Sequence, residues 1–386
     1  MKRLFCILFC TFCASLFLFS QDYKNWVRFA PRLPDAWFLT DSARLVGANV
    51  MAHQIENGAW PKNVNFFRLP DSIVNIAIKR AQRQACLISA EREQCLRQLA
   101  ANSQLSTSRL SEGRPKLASG LPSDSDVCGE QPRIVNSQLS IVNLNEATID
   151  NGATTTEIRF LMRLFAATGD SLCLESALRG VRYLLSMQYD NGGFPQYFPR
   201  RDHYHARITF NDDAMVSVLR LLREVSLRRA PYGPFPLSLS VEAAAAVDRG
   251  VACILACQYV QHGVRTVWAQ QYDEHTLQPA PARSFELAGL CSAESAAIVE
   301  FLQTVSADHP EVLPAIDDAI KWFRAHQLPD GRWARFYTLE DNRPFFCGRD
   351  GVMRFSLEEI DEERQKGYSW YNTRPAKLLR TSAPRP

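Results

Sequence analysis

Apolar residues fall at Ile158, Leu161, Met162 and Phe165, the i, i+3, i+4, i+7 stripe of a helix with one buried face. Thr154 and Glu157, just ahead of that stripe, predict a capping box. Gly169-Asp170 interrupts the pattern, which then resumes to Met187, so two successive helices are predicted. The same helix, break and helix recur over residues 214–224 with 240–257, and over 292–304 with 311–326. A further helix is expected over 41–54. β-branched alternation is scarce, and no sheet is required. The expected fold is therefore all-α, a toroid of helical hairpins with long irregular loops at one rim.

The turns between these helices repeat. HQIENGAWPKN from His53, MQYDNGGFPQYF from Met187, CQYVQHGVRTVWAQQYD from Cys257 and HQLPDGRWARFY from His326 each close a helical pattern with Gln, turn at Gly and then offer an aromatic residue. The glutamines are Gln54, Gln188, Gln258 and Gln327, and a period near 70 residues suits a helix pair with its loops. The first step is about twice as long. It holds a charged helical stretch at 73–100, then a polar tract at 102–143 in which NSQLS occurs at both Asn102 and Asn136. Residues 66–145 are thus expected to contain a flexible surface insertion.

Composition narrows the class. The chain has 386 residues, 46% hydrophobic and 22% charged, enough for a large core. A net charge of +3 with no concentrated basic face argues against a nucleic-acid partner. Lys2 and Arg3, an apolar run over 4–19 and Ser20-Gln21 read as a secretory signal, too short for a membrane span. Residues 1–20 are expected to be removed, leaving a single domain over 21–386 that is secreted or periplasmic, free of the membrane and monomeric. Cys6, Cys10 and Cys13 leave with the signal, and the other eight cysteines offer no C-x-x-C pair; Cys253 and Cys257, one helical turn apart, are expected to be core thiols.

The topology gathers candidate chemistry. In a ring of hairpins the first helix of every pair starts at one face. The segments ahead of those starts are ATIDNGATTTE from Ala147, ITFNDDAMV from Ile208 and PARSFELAGLCSAES from Pro281. Asp150, Asn151, Asp212, Asp213, Arg283 and Glu286 should therefore share one mouth, with NRPFFCGRDGV from Asn342 closing over it. Plainer roles stay open for each. Asp212 or Asp213 suits a helix N-cap, and Asp150-Asn151-Gly152 suits a turn. Arg283, Arg343 and Arg349 suit surface ion pairs, and His203 and His205 suit either a metal pair or a solvated loop. Trp60, Phe194, Tyr197, Phe198, Trp268 and Trp333 suit either sugar stacking or the core. The basic patch Arg200, Arg201, His203, His205 and Arg207 suits a polyanion.

Read in order, NGAWPKN from Asn57, IDNGATTTEIRFL from Ile149, NGGFPQYFP from Asn191, ITFNDDAMV, WAQQYDEHTLQPAPARSFELAGLCSAES from Trp268 and RFYTLEDNRPFFCGRDGV from Arg335 resemble the polysaccharide lyase family 10 pectate lyases. The likeness runs from about residue 40 to 373, apart from the insertion. It implies an (α/α)3 toroid that cleaves polygalacturonate, or pectate, by calcium-assisted β-elimination, leaving a 4,5-unsaturated uronide end. By motif, Asp150 and Asp212 are similar to catalytic calcium ligands and Arg283 to the proton-abstracting base. Lys62, Asn151, Arg343 and Arg349 are similar to contacts for substrate carboxylates or the transition state, and Phe194 and Tyr197 to sugar-packing rings. The chain departs from the pattern in the length of the 66–145 segment, in Phe194 where Trp is common, and around Leu287-Ala288-Gly289 and Cys291-Ser292-Ala293. The competing reading is a glycoside hydrolase on an α/α toroid acting on an acidic glycan, with Asp150 and Asp212 or Asp213 as acid and base.

Overall fold

The apolar stripes fold into helices where their spacing places them. The computed structural model describes residues 24–68 and 144–381; the leader read at 1–20, the helical stretch at 73–100 and both NSQLS copies lie outside the described residues. Helix α1 is Lys24–Phe29 and α2 is Asp41–Ala52. Three hairpins follow among the described residues: α3 (Thr155–Thr168) with α4 (Ser171–Met187), α5 (Ala214–Ser226) with α6 (Leu237–Cys257), and α7 (Ser292–Val305) with α8 (Leu313–Ala325). Short helices α9 (Glu362–Gly367) and α10 (Pro375–Thr381) come last.

The first hairpin shows how local chemistry sets a boundary. Gly169, left-handed at φ 69, ends α3, and Asp170 Oδ1 accepts the Leu172 N–H at 3.1 Å to start α4. In the middle, α5 buries Val216, Val218, Leu219, Leu221 and Leu222, because α3, α6 and α7 pack around it. Each such side chain contributes about 1.5–3 kcal/mol of burial.

The repeated turns are a docking device. Gln54 Nε2 donates to Gly58 O at 2.8 Å and Ser176 O at 2.9 Å. Gln188 Nε2 donates to Gly192 O at 3.0 Å and Ala246 O at 2.9 Å. Gln258 Nε2 donates to Thr266 O at 3.0 Å and Ala315 O at 2.9 Å. One amide thus closes its own turn and ties it to the second helix of the next pair. In the first two turns the glycine also lies against that helix: a Cβ at Gly58 (φ 100) would sit 2.5 Å from Arg179 O and one at Gly192 (φ 88) 2.0 Å from Arg249 O, so no other residue fits. Gln258→Ala is expected to cost about 2 kcal/mol, since it removes two buried hydrogen bonds, the one that closes the turn at Thr266 O and the one that ties it to Ala315 O. Chemical denaturation measures it, and a loss below about 1 kcal/mol would show that water replaces the amide.

The aromatic residues after the turns are core. Trp60, Trp268 and Trp333 are fully buried and donate their indole N–H groups to Val50 O at 2.7 Å, Ile254 O at 2.7 Å and Phe323 O at 2.9 Å. Phe194 takes the corresponding place without a donor and is also 0% exposed.

The all-α expectation is overturned. Ten strands occur among the described residues, in antiparallel pairings: β1 (Ile208–Thr209) with β4 (Gln271–Tyr272), β2 (Val260–Gln261) with β3 (Val264–Arg265), and β6 (Trp333–Ala334) with β10 (Tyr371–Asn372). A four-stranded sheet has the order β5 (Leu290–Cys291), β7 (Phe336–Tyr337), β8 (Pro344–Cys347) and β9 (Met353–Arg354). Most of these strands have two residues, too few for alternation to register in a sequence. Three pairings, β1 with β4, β5 with β7 and β6 with β10, join loops that are distant along the chain, and that is how those loops are held in place.

Two boundaries also differ. The 154/157 capping box does not form, because Thr154 Oγ1 donates to Thr148 O at 2.8 Å while Glu157 accepts from Trp26 Nε1 at 2.6 Å. Residues 66–68 belong to the packed body. Phe66 lies edge-on to Trp26 with ring centroids 4.9 Å apart, and Asn49 Nδ2 donates to Phe66 O and Arg68 O at 2.8 and 3.1 Å.

Candidate active site

Two loops of similar shape carry the acidic residues. In the first, Ile149 N donates to Gln196 O at 3.2 Å, and Thr148 Oγ1 caps Asp150 N at 3.0 Å. Asn151 (φ 52), Gly152 (φ 72) and Thr154 (φ 64) then take left-handed backbone. In the second, β1 pairs with β4, and Asp212 (φ 50) and Asp213 (φ 59) are left-handed ahead of α5. Such strain persists only where packing over-determines it, and it gathers at functional sites. Neither Asp212 nor Asp213 caps α5 through its side chain. Asp213 instead makes a bidentate pair with Arg374 at 2.8 Å for both bonds.

The loops pack together, and Lys62, Asp150, Asn151, Asp212, Arg283 and Glu286 line one cavity of about 120 Å³. Gln196, Tyr204, Asn211 and Gln271 complete its walls. A larger cavity, about 600 Å³, adjoins it and shares Lys62, Asn151 and Asp212.

The electrostatics are ordered. Lys62 Nζ lies 2.5 Å from Asp150 Oδ2; burial weakens its charge, but Asp150 outweighs that and holds the ammonium well above its ordinary range. Burial, then the charges of Asp150 and Glu294, push the Asp212 carboxyl up to about 6, with Arg335 opposing and Glu286 adding. Arg283 donates through Nε to Glu286 Oε2 at 2.7 Å and through Nη2 to Glu286 Oε1, and this pairing holds its proton more tightly than usual. Burial raises the Glu286 carboxyl, but Arg283 more than reverses this and leaves it below the usual carboxylate range. Tyr368 Oη donates to Glu286 Oε1 at 2.8 Å and fixes the far side of the pair.

Comparison with known proteins gives the family. The pectic acid lyase family matches residues 135–332 and 327–379. The chain belongs to that family, polysaccharide lyase family 10. Among solved structures, a family 10 polysaccharide lyase from Cellvibrio cellulosa is similar to it, with a TM-score of 0.63 and 26% identity, over 90% of this chain and 95% of that one. An aspartate-to-alanine variant of a family 10 lyase from the same organism, in complex with trigalacturonic acid, has a TM-score of 0.63 and 24% identity, over 90% and 96% of the two chains. No curated protein sequence matches the chain.

Not every residue singled out in the sequence of this lyase reaches the cavity. Phe194 is wholly buried and offers no face to a sugar. Tyr197 is also buried and backs the wall, with Lys62 Nζ 5.4 Å from its ring centroid. Arg343 stacks on Phe355 at 3.6 Å and does not line the cavity. Arg349 pairs with Glu363 at 3.0 Å and flanks Phe285, the ring that also carries Arg283. His205 turns to Asp202 at 3.1 Å, as does Arg200 at 2.5 Å, so the basic patch is partly neutralised from within. Among the described residues no group of three or more His, Cys, Asp or Glu is placed to hold a metal ion by itself. Cys253 and Cys257 are buried and free, as expected.

Sequence reasoning missed Arg335, Tyr368 and Arg374. Arg335 Nη2 reaches Glu294 Oε1 at 2.7 Å, and its Cζ lies 4.7 Å from the Tyr368 ring. Arg374 finds Asp213 across 161 residues. Nothing local marks either partner.

Glu157 in this lyase is buried, its Oε2 has no hydrogen-bond partner, and burial pushes its carboxyl up to about 7. A raised folded pKa favours the fold below about 4.5, and that contribution is lost as pH rises through about 7. Glu157→Gln keeps an acceptor for Trp26 Nε1. It is expected to leave stability unchanged at low pH and to raise it at pH about 8 by on the order of 3 kcal/mol. Equal denaturation midpoints for the two proteins at the higher pH would refute this.

Proposed function

We propose that this lyase cleaves polygalacturonate by calcium-assisted β-elimination. The observation that carries the reading is the convergence of Asp150, Asp212 and Arg283, from three distant stretches, on one cavity with Lys62. A family 10 lyase in complex with trigalacturonic acid supports a pectic polymer as the substrate.

The residues present fit calcium as an open, partial site. The donors are oxygens, as a hard cation requires. Asp212 is raised first by burial and then by the charges of Asp150 and Glu294, and the charge part of that is negative surplus that a cation relieves. Asp150 and Asp212 would hold the ion, with substrate oxygens and water completing its shell. Bound there, calcium supplies positive charge to the uronate carboxylate and makes the adjacent C5 hydrogen more acidic. Lys62 adds a fixed ammonium on the same wall and meets uronate charge. Asn151 presents a side-chain amide. Arg283 faces the reacting carbon as the residue that accepts the C5 proton. Glu286 orients its guanidinium and at the same time opposes its deprotonation, so exclusion of water by the seated polymer and the nearby positive charge must together outweigh that carboxylate.

Export through the leader at residues 1–20 accords with an extracellular polymeric substrate, and residues 102–143 are inferred to be dispensable to the reaction. The test incubates the full chain with polygalacturonate, with calcium and with chelator. Ultraviolet absorbance of an unsaturated product, lost on chelation, is expected. New reducing ends without that absorbance would identify a hydrolase instead.

A further inference from the structure

β-Elimination breaks two bonds: C5–H, and the bond from C4 to the oxygen of the departing sugar. That oxygen leaves as a strongly basic alkoxide unless a proton reaches it as the bond breaks. The cavity offers few donors. Asn151, Gln196, Asn211 and Gln271 are amides and transfer no proton. Lys62 is locked to Asp150 and holds its proton more firmly than usual, as Arg283 does beside Glu286. Asp212 serves as a ligand only when ionised.

Tyr204 remains. It lines the same cavity as Arg283 and Lys62, near enough for both charges to act on its phenol. Its hydroxyl has no hydrogen bond among the described residues, so its proton is committed nowhere else. The ring is nonetheless well held. It sits in the tight turn His203–Ala206, where Gln196 N donates to His205 O at 3.1 Å and Tyr189 Oη to Ala206 O at 2.6 Å. The imidazole of His205 lies 4.4 Å from it, centroid to centroid.

We propose that Tyr204 is the general acid of the elimination, giving its phenolic proton to the departing C4 oxygen. This rests on the pectate-cleaving reading above. The step balances within the residues present. Arg283, as the neutral guanidine left once the seated polymer and nearby positive charge have driven its own proton to water, takes the C5 hydrogen as a proton, and the C5–H electron pair becomes the C4–C5 double bond. The C4–O pair leaves on oxygen, which receives the Tyr204 proton, and after product release the proton gained by Arg283 passes through water to reload the phenolate. No other reactant is consumed. The charges around the ring suit the task. Burial, with Glu286 and Tyr197, raises the phenol and keeps it protonated, while Arg283 and Lys62 favour the phenolate that forms.

Tyr204→Phe removes one oxygen and keeps the ring. On polygalacturonate its kcat is expected to fall by roughly 10²–10⁴-fold, with KM within a few-fold and the melting temperature unchanged. A synthetic galacturonide carrying dinitrophenol at C4 expels a leaving group that needs no proton, so there the variant should match the wild type within a few-fold. Equal losses on both substrates, a change confined to KM, or full activity on polygalacturonate each overturn the assignment while leaving the lyase reading intact. A wild-type protein that forms no unsaturated product from either substrate overturns both.

Discussion

Asp212→Ala is expected to lower kcat on polygalacturonate by roughly a thousandfold, the upper range for losing one electrostatic group at a reacting centre. Added calcium should not restore it. Asp212 sits between two cavities, on left-handed backbone, with Asp150, Glu294 and Glu286 all adding negative charge around it. Removing the carboxylate would remove half of the proposed ligand pair, and the other half, Asp150, is already bound to Lys62. The raised carboxyl adds a pH signature. Below about 6 a proton competes for the same oxygens, so the calcium needed for half-maximal activity should rise as pH falls through that value. The sign for stability runs the other way: without a cation, this carboxyl favours the fold below about 4 and ceases to do so as pH rises through about 6. Substantial activity of the variant in the presence of chelator would remove Asp212 from the ion site.

Arg283→Lys is expected to lose on the order of 10²–10³ in kcat with a smaller change in KM. Lysine gives up its proton more readily than arginine. If proton affinity alone limited the reaction, the substitution would help. The expected loss comes from geometry. Arg283 grips Glu286 through Nε and Nη2 at once, with Tyr368 fixing Glu286 from behind, and an ammonium cannot reproduce that fork. Stopped-assay kinetics on polygalacturonate separate the cases. A large rise in KM at unchanged kcat would assign Arg283 to substrate positioning and would leave the identity of the base to another group.

The two predictions depend on different parts of the sequence. Asp150 and Asp212 could be nominated because each precedes a strongly amphipathic helix, and helix direction alone sends both to one face. Arg283 followed the same logic through the loop ahead of α7. Phe194, Arg343 and Arg349 follow from motif likeness, and none of the three lines the cavity. A motif records which residues occur together; it does not record which way a side chain turns. Tyr204 shows the reverse. The sequence assigns it no role of its own between His203 and His205, and packing of its turn against Gln196 and Tyr189 directs it to the cavity.

Helix positions, the turn repeat and the gathering of acidic loops at one mouth were determined by the sequence alone, because they follow from short-range periodicity and chain direction. The small sheets, the Arg374–Asp213 and Arg335–Glu294 pairs and the clamp of Glu286 by Tyr368 were decided by tertiary structure. Strands of two residues carry no readable alternation. Partners 41 to 161 residues apart meet only after the hairpins have packed. The physical reason is range: local hydrogen bonding and amphipathic spacing act within a few turns of chain, whereas charge neutralisation in a buried cavity depends on whatever the packed helices bring to its wall.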